Sequence, residues 1–231
     1  MSLSNYKNLD RLDPYSRIYK AIDSINNREV VIKKIRSNSD SIREVEYHKK
    51  LSRLSFIPKL YQIFIENEYT YIVMESITSF STSLQDTSLI NSWIRNKNWN
   101  HYWTTTLYAL QVINELHRSG FYHGDLHLGN LIWTGEKMYV IDFETMDAID
   151  YNCSMLRQHI INNKIRSDYD YILNYRWIDK DVKGDCKRYQ LLVDFSKKMP
   201  CEGFYQGEYV NDSDYIRRVI EEYHRIDQLI F

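Results

Sequence analysis

His123-Gly124-Asp125-Leu126-His127-Leu128-Gly129-Asn130, followed after a short gap by Ile141-Asp142-Phe143-Glu144, is the stretch that decides the reading of this chain. An acid (Asp125), an amide five positions on (Asn130) and a second acid beyond a small hairpin (Asp142) form an ordered set of oxygen groups. Transfer of a phosphoryl group from a nucleoside triphosphate needs such a set: a carboxylate to orient the attacking hydroxyl, and oxygen ligands to hold Mg²⁺ on the phosphates. Asp125 is the candidate base, and Asn130 and Asp142 are the candidate metal ligands. Mg²⁺ keeps few protein ligands beside phosphate oxygens and water, so two are enough.

Working outward, the segment before the loop reads as a helix over Tyr102–Arg118. Leu107, Leu110, Ile113 and Leu116 are spaced to bury one side, and Gly120 ends it. After the loop, Leu131–Trp133 and Met138–Ile141 pair around a turn at Thr134–Lys137. Further upstream the chain turns strand-like. Arg17–Ala21 and Glu29–Ile35 are rich in β-branched residues and flank a polar turn, Asp23–Arg28, with Asn26-Asn27 inside it. Leu60–Glu66 and Tyr69–Glu75 form a second hairpin around Glu66-Asn67-Glu68. Between the hairpins, Ser39–Leu54 is read as a helix, capped by Ser39 or Asp40, with Ile42, Val45, Leu51 and Leu54 on its buried stripe. Downstream, Cys153–Ile165, Asp185–Lys198 and Asp214–Ile230 read as helices, the last with Ile216, Val219, Ile220, Tyr223, Ile226 and Ile230 on one face. The expected class is α+β: a small strand-rich part joined near Glu75–Ser79 to a helical part.

Bulk composition narrows the class without naming a function. The 231 residues carry 30 Lys+Arg against 31 Asp+Glu, a net charge of −1, so nothing demands nucleic acid or an anionic membrane as partner. With 43% apolar residues the chain can bury a core without staples. Three cysteines, odd in number and without a CxxC, fit a reducing cytoplasm better than a disulfide framework or a metal site. No apolar run reaches the roughly 20 residues a membrane span needs, and the N-terminus lacks the apolar core of a signal peptide.

HGDLHLGN with IDFE resembles the HxDxxxxN catalytic loop and the DFG-like metal motif of the protein kinase superfamily. Its wording is closest to aminoglycoside and choline kinases. The N-terminal third is more similar to ordinary protein kinases, through Tyr19-Lys20-Ala21, Val31-Ile32-Lys33-Lys34-Ile35 and Ile42-Arg43-Glu44-Val45 in the right order and spacing. The resemblance runs from residue 6 to about 145. It implies a bilobal kinase-like fold in one domain over 1–231, with an N-lobe of about 1–76 and a reduced helical C-lobe of about 80–231. It also implies ATP and Mg²⁺ as cofactors. Lys33 would grip the α- and β-phosphates and Glu44 would pair with Lys33. Met74 would line the back of an adenine pocket, Glu75 and Ile77 would offer backbone hydrogen bonds, and Ile18, Val31, Ile132 and Ile141 would line the nucleotide site. Without the family order, Lys33 is a strand lysine beside Lys34, and Glu44 a solvated helix glutamate. His123 is assigned a structural role. His127 either reaches the γ-phosphate or only follows the atypical pattern.

The chain departs from the family in several places. The three glycine positions of the phosphate loop hold Arg11, Asp13 and Ser16, which weakens close backbone approach to phosphate; Arg11 or Arg17 is a candidate to compensate with side-chain charge. Gly124 replaces an arginine, Glu144 replaces the glycine of DFG, and no Ala-Pro-Glu follows, so an ordinary activation segment is not expected. Stripped-down kinases such as the RIO family, and some viral and effector kinases, are built this way. Three readings stay open: a minimal serine/threonine protein kinase, a small-molecule kinase of the aminoglycoside or choline type, and a nucleotide-binding pseudokinase scaffold. The first is preferred. The interval from Glu75 to His123 leaves little room for a small-molecule pocket, and Lys33, Glu44, Asp125, Asn130 and Asp142 all survive. The expected partner is a protein substrate, with a small-molecule acceptor as the alternative. The expected place is the cytoplasm, or a host's cytoplasm for a viral or effector protein.

Overall fold

The structure is a computed structural model that describes residues 2–12, 17–77, 82–83 and 99–150, and beyond them positions 152, 157, 160–161, 163–164, 167–168, 191, 220–226 and 228. Apart from the helical position 191, the expected helix at Asp185–Lys198 lies outside the described residues, as do most of Cys153–Ile165 and Asp214–Ile230, the three cysteines, Asp13, Ser16 and Ser79. Positions 160–161, 163–164 and 220–226 are helical, and Tyr223 and Ile226 are buried. Two compact units result: Met1–Ser81 with Tyr139–Thr145, and Thr82–Met138 with Met146–Phe231. The short segment carrying Asp142 therefore groups with the N-terminal residues rather than with its own chain neighbours. Among the described residues no helix is long and apolar enough to cross a membrane.

The first unit is built on a five-stranded antiparallel sheet, in the order β1–β2–β3–β5–β4. Its strands are β1 (Tyr6–Arg11), β2 (Ile18–Asp23), β3 (Arg28–Arg36), β4 (Leu60–Glu66) and β5 (Tyr69–Glu75). Both expected hairpins form. The first turns because the Asp23 carboxylate accepts from the backbone N–H groups of Ile25 and Asn26, while Asn27 takes φ 47°. The second turns on Asn67 and Glu68, both left-handed at φ 49° and 65°, as a tight hairpin turn requires. Alternation along the strands sends Ala21, Val30, Ile32, Phe64, Tyr71 and Val73 into one core, together with Tyr6.

β1 was not expected. Its sequence, Tyr-Lys-Asn-Leu-Asp-Arg, is polar, only Tyr6 is buried, and Asn8 at φ 54° sits in a register shift between Lys7 and Asp10. The strand forms because the Tyr6 ring joins a stack, 6.0 Å from Phe64, which in turn stacks 4.9 Å from Tyr71. Tyr6 Oη also donates to Gln62 Oε1 at 2.9 Å, and the Leu3 N–H donates to Glu66 Oε2 at 3.0 Å. The sheet is thus curled until its two edge strands, β1 and β4, meet through side chains.

Helix α1 spans Ser39–Leu51, starting where expected but ending before the expected Leu54, and it differs from expectation in its cap and on its face. The cap is Asn38, not Ser39 or Asp40. Its side chain accepts from Ser41 N–H at 3.0 Å, and Ser41 Oγ accepts from Asn38 N–H at 3.1 Å. The buried side is Ser41, Glu44, Tyr47, His48 and Leu51, while Ile42 is 62% exposed. The helix turns its polar residues inward because Glu44 finds a cationic partner there, which offsets the cost of burying a carboxylate.

In the second unit, α2 (Trp99–Arg118) buries Leu110, Ile113 and Leu116 as the spacing predicts. It stops at Gly120, φ 88°, whose N–H donates to the His117 carbonyl at 2.9 Å. β6 (Thr82–Ser83) lies against β8 (Leu131–Trp133). β7 (Phe121–Tyr122) pairs antiparallel with β10 (Asp147–Ala148), a contact with no local sequence signal. The loop between β7 and β8 ends in a 3₁₀ turn, Leu128–Asn130. β8 is followed, across a turn with Gly135 at φ 95°, by β9 (Met138–Val140), of which Tyr139 and Val140 group with the first unit. The α+β class holds.

Candidate active site

In the first unit the sheet register gathers most of the expected nucleotide-lining residues on one face. Ile18 stands opposite Lys33, and Val31 opposite Met74. Directly paired residues share a face, so Ile18, Val31, Lys33 and Met74 all project away from the side that carries Val30, Ile32 and Val73. Ile18, Val31, Met74, Ile77 and Ile141 are half-buried. The Glu75 N–H is spent on the Lys59 carbonyl at 2.8 Å, so a ligand has no use of that donor. Ile132, also half-buried, belongs to the second unit.

Lys33 is the centre of this face. Its Nζ donates to Glu44 Oε1 at 2.7 Å and to Asp142 Oδ1 at 2.6 Å. Burial works against the Lys33 ammonium, but Glu44 and Asp142 outweigh it and its pKa is raised. Burial pushes the Glu44 carboxyl up to about 7 despite Lys33, with Asp142 and Glu144 adding to the rise. Asp142 is at φ 68°, a left-handed conformation that costs an aspartate about 1 kcal/mol or more and marks a constrained site. Phe143 is buried beside it, its ring edge-on to His48 at 5.1 Å. His48 donates through Nε2 to the Pro58 carbonyl at 2.7 Å, and burial lowers its pKa, so the ring is neutral there. Four residues after Glu44, His48 shares its helix face; the spacing could have flagged it, but sequence reasoning passed over it.

The second unit holds Asp125 and Asn130. The loop is tied down by Asp168, 1% exposed, whose carboxylate accepts from His123 N–H at 2.9 Å, Gly124 N–H at 3.2 Å and His117 Nε2 at 3.0 Å. Lys164 Nζ donates to the Gly124 carbonyl at 3.1 Å. Gly124 is at φ 81°, a left-handed conformation that glycine takes without strain. Asn130 is buried; its Nδ2 donates to the Asp125 carbonyl at 3.1 Å. The bond fixes the amide so that its oxygen can serve as a ligand. His127 Nδ1 accepts from Gly129 N–H at 3.0 Å, which leaves Nε2 to carry the ring proton. The Asp125 side chain is exposed. Asp168 is the residue the sequence did not offer: a single acid 45 positions beyond His123, in no spacing pattern.

The donor chemistry fits Mg²⁺. Asn130 presents an amide oxygen and Asp142 a carboxylate, both hard ligands of the kind Mg²⁺ selects. Arg11 does not fit a phosphate role. Its guanidinium lies over the Tyr19 ring at 5.6 Å, and Tyr19 packs on the aromatic core, on the sheet face away from Lys33. Arg17 is exposed.

The chain is 29% identical over 138 residues to a probable serine/threonine-protein kinase of Dictyostelium discoideum, a match that covers 56% of this chain and 25% of that protein. The chain thus corresponds to a quarter of that relative's length. The protein kinase domain model matches residues 14–165, which include Lys33, Glu44, Asp125, Asn130, Asp142 and the β2–β5 part of the sheet. With the α+β architecture and this match over more than half its length, the chain belongs to the protein kinase domain family.

Proposed function

We propose that the chain transfers the γ-phosphoryl group of ATP to a serine or threonine hydroxyl of a protein. The observation that carries this reading is the Lys33 ammonium, held at 2.7 and 2.6 Å by Glu44 and Asp142 on the sheet face that also bears Ile18, Val31 and Met74. An apolar strip beside a fixed cation suits a purine and its phosphates. In this reading Lys33, oriented by Glu44, fixes the phosphates, and Ile18, Val31, Met74, Ile77, Ile132 and Ile141 bracket the base. The Glu75 carbonyl and the Ile77 backbone meet its edge. Asp125 accepts the hydrogen bond of the acceptor hydroxyl and aligns it. Asn130 and Asp142 hold Mg²⁺, which when bound neutralises charge on the phosphates. Catalysis is positioning and electrostatics, without a covalent enzyme intermediate.

The test is transfer of label from γ-labelled ATP to generic protein substrates, with aminoglycosides and choline run in parallel. Label on serine or threonine supports the proposal. Label on a small molecule replaces it with a small-molecule kinase, and nucleotide binding without any transfer replaces it with a scaffold. Asp142→Ala and Asp125→Ala are each expected to cut transfer by about 10³-fold or more, because base, metal ligand and phosphate clamp act as a unit. Asp125→Ala should leave nucleotide affinity nearly unchanged.

A further inference from the structure

In the second unit two residues four positions apart grip a single glycine. Lys164 and Asp168 are both helical, so they lie on one face about a turn from each other. Asp168 Oδ1 accepts from Gly124 N–H at 3.2 Å, and Lys164 Nζ donates to the Gly124 carbonyl at 3.1 Å. The glycine is at φ 81°. Without a Cβ it has more backbone conformations open to it than other residues, so the peptide joining it to Asp125 needs an outside hold to keep one orientation. That peptide and the next are each held by the carbonyl: Lys164 takes the Gly124 oxygen, and Asn130 Nδ2 takes the Asp125 oxygen. The two grips on Gly124 differ in burial. Asp168 is shut off from water and anchors the loop, whereas Lys164 is exposed. A bond from a long, solvated side chain adds little to stability, because ordering that chain offsets the gain. What such a bond still does is set a direction.

We propose that Lys164 is a positioning residue for Asp125: its ammonium holds the Gly124–Asp125 peptide in one orientation and so fixes where the Asp125 carboxylate points. The loop from His123 to Asn130 contains no lysine or arginine of its own, and His127 Nδ1 is spent on Gly129 N–H. The hold on this carbonyl therefore comes from a residue 40 positions downstream. A carboxylate displaced by about 1 Å from its acceptor hydroxyl loses on the order of 10²-fold in rate. The effect on rate rests on the phosphotransfer reading, whereas the effect on the backbone does not.

Two measurements on the full chain test it. The first is the amide resonance of Asp125, whose nitrogen belongs to the same peptide as the Gly124 carbonyl. Labelling glycine with ¹³C at the carbonyl and aspartate with ¹⁵N selects only Asp125 and Asp185, the two aspartates that follow a glycine, and Asp185→Ala identifies the second signal. In Lys164→Met the Asp125 signal should shift or broaden, and in Lys164→Arg it should stay near its wild-type position. The second is steady-state transfer of labelled phosphate. Lys164→Met should lower kcat about 10- to 100-fold at an unchanged KM for ATP, and Lys164→Arg should recover most of the loss. Both variants should melt within about 4 °C of the wild type. An unmoved Asp125 signal in Lys164→Met overturns the proposal whether or not the wild type transfers phosphate. With an active wild type, an unchanged kcat in Lys164→Met, or an equal loss in Lys164→Arg, overturns it as well. Absence of transfer by the wild type overturns the phosphotransfer reading alone and leaves the Asp125 signal to decide on Lys164.

Discussion

Asp142 and Asp125 are both aspartates outside helix and strand, yet the two units hold them in different ways. Asp142 is gripped by its side chain: the carboxylate meets the Lys33 ammonium, on a backbone forced to φ 68°. Asp125 is gripped through its backbone. Asn130 bonds its carbonyl, Asp168 takes the two N–H groups just before it, and its own carboxylate is left in solvent. The first arrangement depends on charge and on protonation. The second depends on hydrogen bonds made by the backbone of the loop to Asn130 and to buried Asp168. The first grip can therefore be retuned by pH through Glu44, whereas the second is a platform set by backbone hydrogen bonds.

The largest test of this contrast is Asp168→Ala. It removes the acceptor of two backbone N–H groups and of His117 in a buried place. It should cost about 3–5 kcal/mol, read as a fall of roughly 10 °C in the melting temperature. A loss under about 1 kcal/mol would mean that the platform does not rest on this carboxylate.

A middle-sized effect should come from Glu44. Its carboxyl is raised from 4.5 to about 7 in the folded chain, so the folded state holds more protons than the unfolded one across that interval. Stability contributed at this site is therefore full below about pH 4.5 and declines as pH climbs through about 7. Melting temperatures taken from pH 5 to 8 should show that decline in the wild type and a flatter profile, by a few degrees, in Glu44→Gln. Parallel profiles would show that burial is not felt at Glu44, and would remove the titrating half of the comparison.

The smallest effect belongs to α1, the helix that delivers Glu44. Asn38→Ala removes the side-chain acceptor of the capping box, the partner of Ser41 N–H, and should cost about 1 kcal/mol in chemical denaturation, with the pH profile unchanged. A change in that profile would tie the start of the helix to the protonation of Glu44.

Much of this was legible from local pattern. Both hairpins followed from two-residue alternation and from Asn at the turns, and α2 from Leu110, Ile113 and Leu116 ahead of Gly120. What escaped depends on partners distant in sequence. β1 is polar and exists because Tyr6 reaches Phe64 and Gln62. The inward face of α1 was misjudged because apolar Ile42 was weighed above Glu44, whose burial makes sense only with Lys33 opposite. Lys33 and Asp142 are 109 positions apart, and only the family order, not spacing, hinted that they meet. Asp168 had neither a local pattern nor a motif to announce it.

The bridge from Tyr6 and Leu3 to Gln62 and Glu66 also has a practical consequence. Those few opening residues act as a clasp over the margin of the sheet and over the Phe64 ring. Trimming the chain to Arg17 would unfasten it, baring an aromatic rim and the free backbone of β2 to other copies of the protein. An expression strategy that starts at the first family-like strand would thus invite self-association through a seam that the intact polypeptide keeps shut.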